Sequence, residues 1–182
     1  MNDRPSTIET DRLVLRPFET IDTGAYAAVR AKAEVVRYLP GGEEAALRAG
    51  EIAARTVQTF ASLWGDQDGP GYGPWAMIDR QSGALIGHVG LRLLDEMNGE
   101  TEILYMLDSA YWGRGLATEG ALAARDYGFD RLRLNRLIAL ALPENKASQK
   151  VMQKIGMTQA PGLVDAFGLR LVFSSMTASD PR

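Results

Sequence analysis

Gly113-Arg114-Gly115-Leu116-Ala117 is the stretch on which the reading of this chain turns. The run Thr101 to Leu107 before it has the composition of a strand, and the run Ala117 to Phe129 after it that of a helix. Two glycines at such a junction let the backbone turn sharply and aim several amide hydrogens at one point. The helix behind them adds a partial positive charge. A nest of this kind holds a phosphate or pyrophosphate without any side chain, and Arg114 can add a charged clamp at its rim. The pattern therefore predicts a phosphate-bearing ligand. A plain tight turn and a dinucleotide-binding turn are the alternatives. The dinucleotide fingerprint wants a third glycine where Thr118 stands, in a chain of alternating strands and helices, whereas three hairpin-like strands precede this loop.

Outward from the loop, the chain reads as one α/β domain over residues 1–182. Leu13, Leu15 and Phe18 alternate with Arg12, Val14 and Arg16 and predict a first strand stopped by Pro17. Helical runs follow at Asp22 to Lys32, Glu34 to Tyr38 and Glu43 to Leu63. A glycine-rich loop spans Gly65 to Gly73. Strands are expected at Pro74 to Asp79, Ala84 to Leu93 and Thr101 to Asp108, and after the loop and its helix at Arg136 to Leu142. A further helix is capped by Asn145 and stopped by Gly156, with Ala147, Val151 and Ile155 as its buried stripe. Leu169 to Met176 reads as a last strand. This order predicts a mixed, mostly antiparallel sheet of about six to seven strands with about four helices.

Composition narrows the chemistry. The chain has 182 residues, 46% hydrophobic and 24% charged, as expected of a soluble globular protein. It has no cysteine, which removes disulfides, thiol nucleophiles and thiolate metal sites. His88 is the single histidine, so no multi-histidine metal site forms and no metal is expected. A buried structural role for His88 competes with catalysis. The net charge of -3 argues against nucleic acid and suits an amine. The apolar runs are too short to span a membrane, and Met-Asn-Asp-Arg-Pro at the start lacks a signal pattern, so a cytoplasmic location is expected.

Four ordered blocks carry a family resemblance. Tyr111-Trp112-Gly113-Arg114-Gly115-Leu116-Ala117-Thr118-Glu119 resembles the acetyl-CoA loop of the GNAT N-acetyltransferases, most closely their RimJ/RimL-like branch. Trp112 takes the place of the usual basic first residue. Pro143-Glu144-Asn145-Lys146-Ala147-Ser148 with Val151 to Met157 is similar to the family's next block. Thr10 to Phe18 and Leu85 to Leu91 resemble its first and third strands.

The resemblance implies a GNAT fold, with two central parallel strands splayed at the cofactor, and acetyl transfer from acetyl-CoA to a primary amine. The amine is a protein N-terminus or a small molecule. Amides of Trp112, Gly113, Arg114, Gly115, Leu116, Ala117 and Thr118 would hold the pyrophosphate. Main chain of Tyr105, Met106 and Leu107 would hold the pantetheine arm, with Asn145 and Ser148 nearby, and an amide near Leu107 would hold the oxyanion. Glu102 would be the base, acting through water. Leu104 departs from the family glycine and adds bulk there. Met152 stands where many members have an acidic tyrosine, so Ser148, a water or unaided thiolate departure would replace it. Tyr38, Tyr72 and Trp75 are candidates for the acceptor pocket, with core packing as their alternative. A homodimer fits the family. A non-catalytic acyl-CoA-binding sensor is the competing function.

Overall fold

Leu13 and Leu15 are fully buried while Val14 and Arg16 are half-buried, and this period of two marks a strand with one face on a core. In the computed structural model, which describes residues 7–65 and 70–180, the same logic builds nine strands. They are β1 (Ile8–Glu9), β2 (Leu13–Arg16), β3 (Pro74–Asp79), β4 (Leu85–Leu94), β5 (Glu100–Leu107), β6 (Arg136–Ala141), β7 (Thr158–Gln159), β8 (Val164–Ala166) and β9 (Leu169–Thr177). The α-helices are α1 (Thr23–Arg30), α2 (Ala33–Val36), α3 (Ala49–Gly65), α4 (Leu116–Asp126) and α5 (Lys146–Lys154). The sheet order is β1-β2-β3-β4-β5-β6-β9-β7, with β8 on β9. Every pairing is antiparallel except β5 with β6, which is parallel.

Helices cover both faces. On one face α4 and α5 bring Leu116, Ala121, Ala124, Met152 and Ile155 against Leu13, Met77, Val89, Leu91, Ile103 and Leu137. On the other, α1 and α3 bring Tyr26, Val29, Ala53 and Val57 against Ala76 and Met106. Each such large apolar side chain contributes about 1.5–3 kcal/mol on burial, so both layers are needed to hold the sheet.

Several expected boundaries shift. Glu43 does not open the long helix: Gly42–Arg48 form a 3-10 stretch, and α3 starts at Ala49. The buried stripe of α5 runs through Met152 and Ile155, with Val151 half-buried, while Ala147 is exposed. The three shortest strands, β1, β7 and β8, are too brief to carry a period in sequence. Of the glycine-rich loop, residues 66–69 lie outside the described residues, as does the N-terminal Met-Asn-Asp-Arg-Pro.

Candidate active site

The turn before α4 needs its glycines. Gly113 has φ 74° and Gly115 φ 78°, the left-handed region that side chains disfavour. With Gly115 as its N-cap, α4 starts with its first-turn amides facing out of the helix. The first intrahelical bond is from the Glu119 amide to the Gly115 carbonyl, 3.0 Å. The amides of Gly113, Arg114, Gly115, Leu116, Ala117 and Thr118 donate to no group among the described residues. The Trp112 amide is spent on the Ser109 carbonyl at 3.2 Å, so it leaves the expected set. The Trp112 indole instead donates to the Leu107 carbonyl at 2.8 Å. The Arg114 guanidinium lies over the Tyr111 ring, 5.1 Å from its centroid.

A carboxylate braces this turn from behind. Glu119 accepts from the Thr10 hydroxyl at 2.6 Å, and from the Arg12 amide at 2.8 Å and Nε at 2.6 Å. Arg12 Nη1 also donates to the Arg114 carbonyl at 2.7 Å. The start of β2 thus fixes the loop. Beside it, Arg12, Arg80, Arg114, Asp11, Asp79 and Gln81 line a cavity of about 260 Å³.

Next to the loop the sheet opens. β5 and β6 share one parallel bridge, Glu102 with Ile138, and none from Ile103 to Leu107. Below the bridge, Arg136 Nη1 and Glu100 Oε1 tie the strands at 2.8 Å. The β4–β5 register decides which groups face the gap. The Asp108 amide donates to the Ile86 carbonyl, so in this register the His88–Met106 and Gly90–Leu104 pairs exchange hydrogen bonds, and the alternate residues turn theirs away. The main chains of Tyr105 and Leu107 therefore face the split. Met106 is a correction to the expected cofactor contacts: its main chain belongs to the ladder with His88. Leu104, half-buried, sits opposite Gly90, where a Cβ would meet the Gly73 and Pro74 backbone.

Glu102 is buried, at 6% exposure, with Arg92 opposite it on β4. Arg92 donates to Oε2 from Nε at 3.1 Å and from Nη2 at 2.5 Å, leaving Oε1 without a partner among the described residues. Burial pushes the Glu102 pKa up from the ordinary carboxylate value, against the pull of Arg92. A carboxylate raised in this way is better matched to proton abstraction near neutrality. Glu100 shares its face of β5 and lines a cavity of about 320 Å³ with Glu96, Asp165, Phe167 and Phe173.

Asn145 caps α5, with Oδ1 accepting from the Ser148 amide at 3.1 Å. Ser148 is tied to the open strand. The Tyr105 hydroxyl lies 2.9 Å from Ser148 Oγ and donates to the Ser148 carbonyl at 3.0 Å. Burial lifts the Tyr105 pKa to about 12, so the phenol stays protonated. The buried Met152 supplies packing and no proton.

The aromatic candidates divide. Trp75 is fully buried between Trp64, centroids 4.8 Å apart, and Tyr127, 5.0 Å apart, so it is core and has no surface for a substrate. Tyr72 is 7% exposed, and its hydroxyl is spent on Thr101 Oγ1 at 3.0 Å. Both are corrections: an aromatic next to a glycine-rich loop fills a core as readily as a pocket. Tyr38 remains at the surface, 36% exposed. His88 is buried against the Tyr26 hydroxyl, with Nδ1 2.9 Å away, and burial lowers its pKa to about 3. Sequence reading missed Arg92 and the Arg12–Glu119 brace. The first depends on strand register and the second on how α4 docks against the start of β2, and no local pattern encodes either.

Comparison with known proteins agrees with this geometry. Residues 12–158 match the model of the Acetyltransferase (GNAT) domain family. An uncharacterized N-acetyltransferase, YoaA of Bacillus subtilis (strain 168), is 34% identical over 149 residues, 82% of this chain and 81% of that protein. The crystal structure of a GNAT-family acetyltransferase from Bacillus anthracis superposes with a TM-score of 0.75 at 24% identity, covering 96% of this chain and 99% of that one. RimL, a ribosomal L7/L12 alpha-N-protein acetyltransferase solved with coenzyme A, gives 0.75 at 16% identity over 94% of this chain and 97% of its own. By the family match and the relative's extent, this chain belongs to the GNAT acetyltransferases and is an acetyltransferase enzyme.

Proposed function

We propose that the protein transfers an acetyl group from acetyl-CoA to a primary amine by direct attack in a ternary complex. The observation that carries this reading is the opening of β5 from β6 beside a turn with six free amides. The two features suit one elongated ligand: the amides of Gly113 to Thr118 take the pyrophosphate, and the main chain of Tyr105 with the Leu107 amide takes the arm as an added strand would. When bound, acetyl-CoA supplies the thioester whose carbonyl the amine attacks. Among the residues of this chain, the Leu107 amide points into the gap and holds the developing oxyanion.

Glu102 removes the amine proton through a relay of waters that begins at Oε1, while Arg92 holds the other oxygen. The demand on this base depends on the amine. An α-amine of pKa near 8 needs only about 1.4 kcal/mol to be neutral at pH 7, a lysine near 10.4 about 4.6. A carboxylate acting through water favours the first. Ser148 would supply a proton to the departing thiolate. If its hydroxyl accepts the Tyr105 hydrogen, its own hydrogen becomes free to donate, with no heavy atom moved.

Purified protein given acetyl-CoA and a panel of amines tests the reading. Free thiol is expected only when an acceptor is present. No thiol release with any α-amine, together with no binding of CoA, would refute it.

A further inference from the structure

On the α1 side of the open strand lies a buried cation with no counter-charge among the described residues. Arg30 ends α1 and keeps 8% of its surface. Nη1 donates to the Met106 sulfur at 3.9 Å, the guanidinium stands 5.9 Å from the Tyr26 ring centroid, and Nε has no hydrogen-bond partner among the described residues. Among the described residues no carboxylate pairs with it. Nearby acids are engaged elsewhere: Asp22 with Arg16, Asp108 with Lys32, and Glu34 with the Ser109 hydroxyl. Its titratable neighbours, His88 and Tyr26, are bonded to each other and carry no negative charge near neutrality. A buried charge is normally matched by an opposite one.

The position is informative. Met106 lies in the splayed part of β5, next to Leu107, whose amide faces the gap. Glu102 and Met106 share one face of β5, about 13 Å apart along the strand. An anion met by Arg30 therefore lies closer to the reacting carbonyl than to the Glu102 end of the site. A planar guanidinium takes a carboxylate through two parallel hydrogen bonds, which an isolated lysine does not reproduce.

We propose that Arg30 recognises a carboxylate carried by one of the two reactants near the bond being made. The source is an amine that is also an acid, such as an α-amino acid, or an acyl group that ends in an acid. The inference rests on the acyl-transfer reading above and narrows it to acidic reactants.

The test uses pairs that differ only in the carboxylate. One arm compares α-amino acids with their carboxamides as acceptors of acetyl-CoA. The other compares succinyl-CoA with acetyl-CoA on one neutral amine. In at least one arm the acidic member is expected to have a kcat/KM at least ten-fold higher. The arm that shows it identifies the source. Arg30→Gln should abolish the preference, and Arg30→Lys should keep part of it. Equal rates in both arms for the wild type overturn the proposal and leave acetyl transfer standing. So does a preference that survives in folded Arg30→Gln. If Arg30→Gln does not fold, the wild-type pairs and Arg30→Lys decide alone: an undiminished preference in Arg30→Lys counts against the fork. Failure of CoA itself to bind, measured by calorimetry, overturns the transfer reading and the proposal with it.

Discussion

At the residue scale the proposed mechanism turns on one buried carboxylate, Glu102. Glu102→Gln keeps the size of the side chain and removes the base, so kcat/KM toward an α-amine should fall by roughly 100-fold or more. In the wild type the acid limb of the kcat/KM profile should lie above pH 4.5, because burial raises the Glu102 pKa and the base is lost as pH drops through it. That limb should vanish in the variant. Undiminished turnover would remove Glu102 from the mechanism. His88 makes a separate prediction, on stability. The folded chain keeps it neutral down to about pH 3, while the unfolded chain takes up a proton near 6.5. Between these values the unfolded state binds more protons. Stability should therefore be complete above pH 6.5 and fall as pH is lowered, by up to about 1.4 kcal/mol per unit. Urea unfolding of the wild type and His88→Gln from pH 4 to 8 measures the difference. An equal pH slope in both proteins would contradict it.

Glu102 was readable as a candidate base because the run Glu102-Ile103-Leu104-Tyr105 resembles the family strand that leads into the glycine turn. Arg92 was not: its partnership is created by the β4–β5 register, ten residues away across a hairpin. Tyr72 and Trp75 misled for a physical reason. A bulky aromatic is favoured by any dry environment, and only the packing of Trp64 and Tyr127 shows that this one is closed.

At the element scale the sheet depends on one close approach. Gly87 has φ 151°, and a Cβ there would lie 2.0 Å from the Met106 carbonyl oxygen. It sits at the shift in register between β3 and β4. Gly87→Ala must push β4 from β5 and should destabilise the fold by about 3 kcal/mol or more, read from denaturant midpoints. A loss below about 0.5 kcal/mol would show that the strands can part freely there. The loop has its own brace. Glu119→Ala strips the partners of Thr10 and Arg12 and should cost about 1–3 kcal/mol of stability. It should also weaken CoA binding, since the same arginine holds the Arg114 carbonyl. Unchanged binding in a folded variant would make the brace irrelevant to the ligand.

The turn itself was legible because positive φ selects glycine, and that selection is visible in letters alone. The long helix was misjudged at its start because 3-10 and α turns share composition over one or two turns. The two- and three-residue strands at the sheet edges were invisible because they contain no full period.

At the scale of the whole molecule, the order of strands and helices places the opening and the amide turn side by side. β5 runs through the split directly into the loop, and β6 returns beside it after α4. The fold could be anticipated from the sequence of elements, since hairpins followed by strand–helix–strand leave one parallel pair. Where that pair separates could not be read, because the last bridge, Glu102 with Ile138, and the Glu100–Arg136 pair below it depend on contacts between strands far apart in sequence. The central claim is that one ligand bridges both features. Amide-resolved NMR during titration with CoA, and with pantetheine as a ligand lacking the pyrophosphate, tests it most directly. CoA should saturate at micromolar concentrations and shift the amides of Gly113 to Thr118 together with those of Tyr105 and Leu107, while pantetheine should bind far more weakly and leave the Gly113 to Thr118 amides unmoved. Equal binding of the two ligands, or CoA shifts confined to another surface, would contradict the account.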